Sequence, residues 1–144
     1  MQKIVADYKG QVAWVYRHFP IDSLHAKARK EAEATECASE LGGNTVFWQY
    51  LDKLFEITQS NDGLDLAELP KIASGLGLDV KAFNACLSSG KYKDLIESQL
   101  QDGIKAGVTG TPSSIIINQK TGKKVFIVGG ESYETMKSSI DGIK

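Results

Sequence analysis

The sequence predicts an α/β domain interrupted by a block of helices, and three observations predict it. A β-branched and aromatic run, residues 12–19, lies near the start. A long stretch rich in helix formers fills residues 22–90. After it the chain reads as one longer helix, two strands and a last helix.

The elements follow in order. Residues 1–9 read as a short helical segment stopped by Gly10. "VAWVYRHF", bounded by Gly10 and Pro20, reads as a buried strand. Residues 23–41 carry alanine and glutamate and stop at Gly42-Gly43. Asn44 or Thr45 can cap the next helix, with Phe47, Tyr50, Leu51, Leu54 and Phe55 on one face as core. Pro70 either kinks a third helix or begins its second half. Asp79 caps a short helix that ends near Gly90. Residues 92–107 form a longer helix with Leu95, Ile96, Leu100 and Ile104 as its buried stripe. Two strands, 113–118 and 124–130, flank a five-residue hairpin loop, Asn118 to Gly122, and a helix over 132–143 ends the chain.

At 144 residues the chain has room for one domain with a real core. Lysine and arginine number 17 against 18 acidic residues, so the net charge is −1 and nothing marks a nucleic-acid or anionic-membrane partner. No apolar run approaches the roughly 20 residues of a membrane-crossing helix. No signal peptide is visible, which leaves a cytosolic chain or one whose N-terminal part is missing. Two cysteines, Cys37 and Cys86, are too few for a zinc site and form no C-x-x-C. They fit two buried thiols or one structural disulfide.

Strand–strand–helix after a long helix and a Thr-Pro entrance is the second half of a thioredoxin-like fold. The stretches "KIVADYKGQVAWVYRHFPIDSLHAKARKEAEATECASELG", "FWQYLDKLF", "LGLDVKAFNACLSSGKY" and "GVTGTPSSIIIN" resemble the DsbA-like family of thiol–disulfide oxidoreductases over nearly the whole chain. The resemblance implies one domain, with residues 1–20 and 92–144 as its thioredoxin-like part and 22–90 as a helical insertion. It also implies an absence. Family members carry a strand and a C-x-x-C helix start before the segment that matches Ile4 to Tyr8, and this sequence holds neither. The expected consequence is that strand 12–17 pairs directly with 113–118, or that a second copy closes the sheet.

The same resemblance assigns candidate residues. Pro112 is expected to follow a cis bond, with the backbone of Thr111 pairing with an extended polypeptide substrate. Arg17, His18, Phe19 and Pro20 are expected at the edge of the active site, at the C-terminal end of a strand. His18 reads as a packed histidine that positions its loop, with proton carriage as the alternative. His25 reads as a surface or capping residue. Cys37 and Cys86 match the positions of a second, non-catalytic disulfide found in some members. Gly129-Gly130 matches the exit from the last strand. No metal or cofactor is implied.

Two functions compete. One is a thiol–disulfide oxidoreductase of an extracytoplasmic compartment, of which this chain is a part without the dithiol. The other is a non-catalytic module that binds extended peptides at Thr111-Pro112. A third branch, acting on glutathione or a small thioester, has no positive mark in the sequence.

Overall fold

The computed structural model describes residues 1–59 and 62–144. The elements run α1 (Gln2–Asp7), α2 (Ala28–Ile57), a 3₁₀ turn (Leu66–Glu68), α3 (Leu69–Gly75), α4 (Val80–Ser89), α5 (Lys93–Lys105), β1 (Ser113–Ile117), β2 (Lys124–Val128) and α6 (Tyr133–Asp141). The chain divides into two compact units, one made of Met1–Arg17 and Gly103–Lys144, the other of His18–Asp102.

In the first unit, β1 and β2 form a two-stranded antiparallel hairpin in which Ser113 faces Val128 and Ile117 faces Lys124. Asn118 organises its turn. The side-chain oxygen accepts from the amides of Lys120 and Thr121, and Nδ2 donates to the Ile143 carbonyl. Gly122 supplies the positive φ that closes the loop. One face of the hairpin carries Ile116, Val125 and Ile127 into a core with Ile4, Tyr8, Met136 and Ile140. The Tyr8 hydroxyl sits 2.8 Å from Asp141 Oδ1, joining α1 to α6. Lys137 and Lys144 also bind that carboxylate and, with Tyr8, hold it well below the usual carboxylate range.

The expected strand at residues 12–17 does not form. The segment is extended, and its side chains alternate between exposed and half-buried, but among the described residues the sheet contains β1 and β2 alone. Nor does it pair with residues 113–118, the first of the two ways in which the sheet was expected to close. Local β-propensity sets the extended conformation, whereas a ladder needs a neighbour at about 4.8 Å. Val12 instead packs against the same core as Ile116 and Val125.

The second unit is helical. Helix α2 holds its geometry from Ala28 to Ile57 except at Gly43, whose φ of 75° and ψ of −174° break it into two arms. Such a φ suits glycine, because a Cβ there would crowd the backbone. The stop read at Gly42-Gly43 is therefore a bend with helix on both sides. Pro70 begins the regular part of α3, where a missing amide costs nothing. Asp79 caps α4 through the amides of Lys81 and Ala82, and Gly90 ends that helix in the left-handed region.

The core of this unit gathers Ala34, Cys37, Ala38, Tyr50, Leu54, Leu69, Ile72, Phe83 and Leu87. The buried Tyr50 hydroxyl donates to the Leu69 carbonyl at 3.0 Å. Two expectations fail here. Phe55 is exposed, because it lies off the stripe formed by Phe47, Tyr50, Leu51 and Leu54. On α5 only Ile96 is fully buried, while Leu95 and Ile104 face outward.

Glu31 on α2 carries a carboxylate oxygen that is buried without a hydrogen-bond partner among the described residues. Burial, helped by the nearby charge of Asp62 and opposed by Lys27 and His25, pushes its carboxyl upward. A raised carboxyl favours folding below its unfolded value of about 4.3, and that contribution is lost as pH rises through the folded value. Glu31→Gln is therefore expected to raise Tm at pH 7 and to change it much less at pH 4. Thermal melts at the two pH values check this, and an equal gain at both would contradict it.

Candidate functional site

Two groups of candidate residues fall in different units and are built separately. The first is the entrance to β1. After α5, Gly107 turns the chain with a φ of 88°, and the Val108 amide donates to the Gly103 carbonyl. The Thr111–Pro112 peptide is cis, and both residues are exposed. The Pro112 carbonyl accepts from the Gly129 amide at 2.8 Å, directly before the ladder begins. A proline suits this place because the ladder uses its carbonyl and does without an amide. Ser113 Oγ donates back to the Gly110 carbonyl at 2.7 Å and closes the loop on itself. Gly130 lies beside the proline ring, where an added Cβ would stand 3.8 Å from Pro112 Cγ. Thr111 is thus an exposed residue on a loop with a fixed base.

The second group lies in the helical unit. His18 is 4% exposed. Its backbone amide donates to Gln99 Oε1 at 2.6 Å, and its Nε2 lies 3.0 Å from Glu36 Oε1. Its ring meets the edge of Phe47 at 6.3 Å between centroids. The histidine is thus held between α2 and α5. Arg29 ties the same elements, bonding Asp22 at 2.7 Å and Glu97 at 2.8 Å. Pro20 is buried and Phe19 half-buried, while Arg17 is exposed and belongs to the first unit. His25 is half-buried, and its amide donates to the Ile21 carbonyl in the turn before α2. Glu36 and Gln99 were not foreseen as partners of His18. Gln99 lies 81 residues from it in sequence, and no local pattern links them.

Cys37 and Cys86 are joined by a disulfide with Cα atoms 5.9 Å apart, which ties α2 to α4. Both are buried. Glu40 Oε2 stands 3.7 Å from Cys86 Sγ, and Lys91 and the Tyr92 hydroxyl, at 2.7 Å, bind the same carboxylate. These contacts hold Glu40 low, while burial and Glu40 push Tyr92 up to about 12. With both cysteines bonded to each other, the described residues offer no thiol nucleophile. No group of three histidine, cysteine or acidic side chains among them is arranged to hold a metal. No helix among them is long and apolar enough to cross a membrane.

The profile of the thioredoxin family matches residues 1–142. The chain belongs to that family. Within it the structure stands with the DsbA-like members. It superposes on DsbA2 of Pseudomonas aeruginosa with a TM-score of 0.78 and 28% identity, covering 98% of this chain and 76% of that one. In sequence it is similar to the Na(+)/H(+) antiporter NhaA 3 of Salinispora tropica, 30% identical over 116 residues, which are 81% of this chain. It is also similar to the Na(+)/H(+) antiporter NhaA of Herminiimonas arsenicoxydans, 30% identical over 111 residues. The chain spans 17% and 16% of the lengths of those two relatives.

The disulfide yields a direct expectation. A bridge across 49 positions stabilises by about 4 kcal/mol on the loop-entropy account. The double variant Cys37→Ala, Cys86→Ala should therefore lose a comparable amount in urea unfolding. Dithiothreitol should lower the Tm of the native chain and leave that of the variant unchanged.

Proposed function

We propose that this chain is the polypeptide-holding part of an extracytoplasmic, DsbA-like thiol–disulfide oxidoreductase. The observation that carries this reading is the exposed cis Thr111–Pro112 loop leading directly into β1. An extended substrate would lie along Thr111, exchanging backbone hydrogen bonds with it as an added strand. Pro112 fixes the backbone and Ser113 locks the turn.

In thiol–disulfide exchange a thiolate attacks one sulfur of a disulfide, the old S–S bond breaks, and the displaced sulfur leaves as thiolate. Nothing in this chain can be that attacking thiolate, since Cys37 and Cys86 are bonded to each other and buried. Its own residues hold and orient the substrate backbone. A persistent structural disulfide fits an oxidising compartment and supports placement outside the cytoplasm. The second reading, a peptide-binding module without redox chemistry, draws on the same two facts and differs only in what the whole protein adds.

Fluorescence anisotropy with labelled, unfolded, cysteine-free polypeptides tests the loop. Thr111→Pro, which removes the Thr111 amide, is expected to weaken binding about tenfold, in keeping with one lost backbone hydrogen bond in a shielded site. Unchanged binding would refute the assignment of the loop. In the insulin reduction assay this chain is expected to add nothing to the rate of free dithiothreitol. Turnover above that rate would show a catalytic thiol where we find none.

A further inference from the structure

The near-neutral total charge conceals an uneven division. The unit made of Met1–Arg17 and Gly103–Lys144 holds nine lysines and arginines against four acidic residues, whereas the helical unit holds eight against fourteen. Charge therefore has to be read unit by unit. In the basic unit part of the surplus gathers at the closed end of the hairpin. Lys120, Lys123 and Lys124 are exposed there, and among the described residues no carboxylate pairs with any of the three. Lys144 lies beside them, since Asn118 Nδ2 in the turn donates to the Ile143 carbonyl. The acidic groups of α1 and of the end of α6 are already engaged, Asp7 by the Tyr133 hydroxyl and Asp141 by Lys137, Lys144 and Tyr8.

Ordinary structural reasons account for some of these cations and not for others. Lys137 and Lys144 sit at the C-terminal end of α6, where the helix dipole draws positive charge. Lys124 begins β2, and a lysine on an edge strand discourages pairing with other chains. Lys120 and Lys123 belong to the turn itself, outside any helix or strand. The turn does not need their side chains, because its backbone is fixed by other groups. The Gly122 amide donates to the Asn118 carbonyl at 2.8 Å, and the Lys123 amide donates to Thr121 Oγ1 at 3.3 Å. Unpaired ammonium groups thus stand on a platform that is already ordered.

We propose that the closed end of the hairpin is a contact surface for an anionic lipid bilayer, held by charge alone. The composition of the turn selects that partner. From Asn118 to Lys124 there is no apolar residue, so the turn offers neither the apolar centre of a protein interface nor a wedge into hydrocarbon. Lysine is depleted in protein interfaces, and nucleic-acid sites favour the planar fork of arginine, of which this unit has Arg17 alone. Lysines on flexible stems suit a spread of charge such as a layer of lipid phosphates. Each lysine near such a surface multiplies the partition about fivefold, so the three together give roughly a hundredfold. The hairpin also sets the orientation. The turn closes one end of β1 and Thr111–Pro112 opens the other, five residues and about 17 Å away. A chain resting on its turn keeps that loop clear of the lipid. The contact uses none of the residues assigned to polypeptide holding, so the two readings stand or fall separately.

Co-sedimentation of the whole chain with vesicles tests this. At about 50 mM salt the chain should bind phosphatidylcholine vesicles containing roughly 30% phosphatidylglycerol, and about 500 mM salt should release it. Vesicles of phosphatidylcholine alone should not bind. No binding to the anionic vesicles, or binding that survives the salt, overturns the proposal. The triple variant Lys120→Gln, Lys123→Gln, Lys124→Gln should lower the partition coefficient roughly a hundredfold, and arginine at the same three positions should preserve it. Lys53→Gln, Lys81→Gln, Lys93→Gln removes the same charge from the helical unit and should change binding little. Equal losses in the two glutamine triples would mean attraction without a surface and would sink the idea. Binding to polyglutamate that depends on the turn lysines, with none to vesicles, would make the partner an acidic polypeptide and overturn it as well. Because Cys37 and Cys86 already occupy each other, a fluorophore can be placed on Gln119→Cys or Thr111→Cys alone. Lipid-borne quencher should dim the first and spare the second, and equal quenching of both refutes the orientation.

Discussion

A hairpin of two five-residue strands has too few hydrogen bonds to persist in water unless one face is covered. In this chain α1 and α6 provide that cover, and the first unit is organised around it. Ile116, Val125 and Ile127 enter one core because the register places them on one face. Tyr8 and Asp141 then fix the two covering helices to each other. The Thr111–Pro112 loop inherits its position from this arrangement, since Pro112 is bonded to the residue that follows β2. A site with no helix or strand of its own is held by the ladder beside it.

The helical unit solves a different problem. Its first long helix bends at Gly43, and without a tie the two arms would depend on packing alone. The Cys37–Cys86 bond links the first arm to α4, while Tyr50 on the second arm reaches the start of α3. Polar groups inside this unit are mostly matched. His18 has Glu36 and Gln99, and Thr35 returns its hydroxyl to the Ala32 carbonyl at 2.7 Å. Oxygens of Glu31 and Glu33 stand out for that reason: among the described residues they are buried without a hydrogen-bond donor, and Glu33 has only Lys30 at 3.6 Å to offset the cost.

Where a feature depends on a few neighbouring residues, it was legible in the sequence. Asp79 before an apolar run, Gly90 after it and Pro70 at a helix start each act within one turn, and each holds the role its chemistry suggests. Residues 12–17 show the limit of such reasoning. Their alternation encodes an extended backbone, but a strand is defined by its neighbour, which lies elsewhere in the chain. The outward placement of Leu95 and Ile104 has the same origin, for an apolar stripe says which side could be covered and not what covers it. At the candidate site, the Thr-Pro entrance was readable only through its resemblance to a family. The partners of His18 were invisible at any local scale, since they lie 18 and 81 residues away.

The two units also differ in when they can be completed during synthesis. The helical unit is one continuous stretch, so everything it needs is available once residue 102 has been made. The other unit is split between the two ends of the chain. Tyr8 must wait for Asp141, a partner 133 residues further on. Loop closure over that distance is cheaper by about 1 kcal/mol once the intervening residues have condensed. All residues of the helical unit are thus available before Asp141 is made, whereas the bond from Tyr8 to Asp141 cannot form until then.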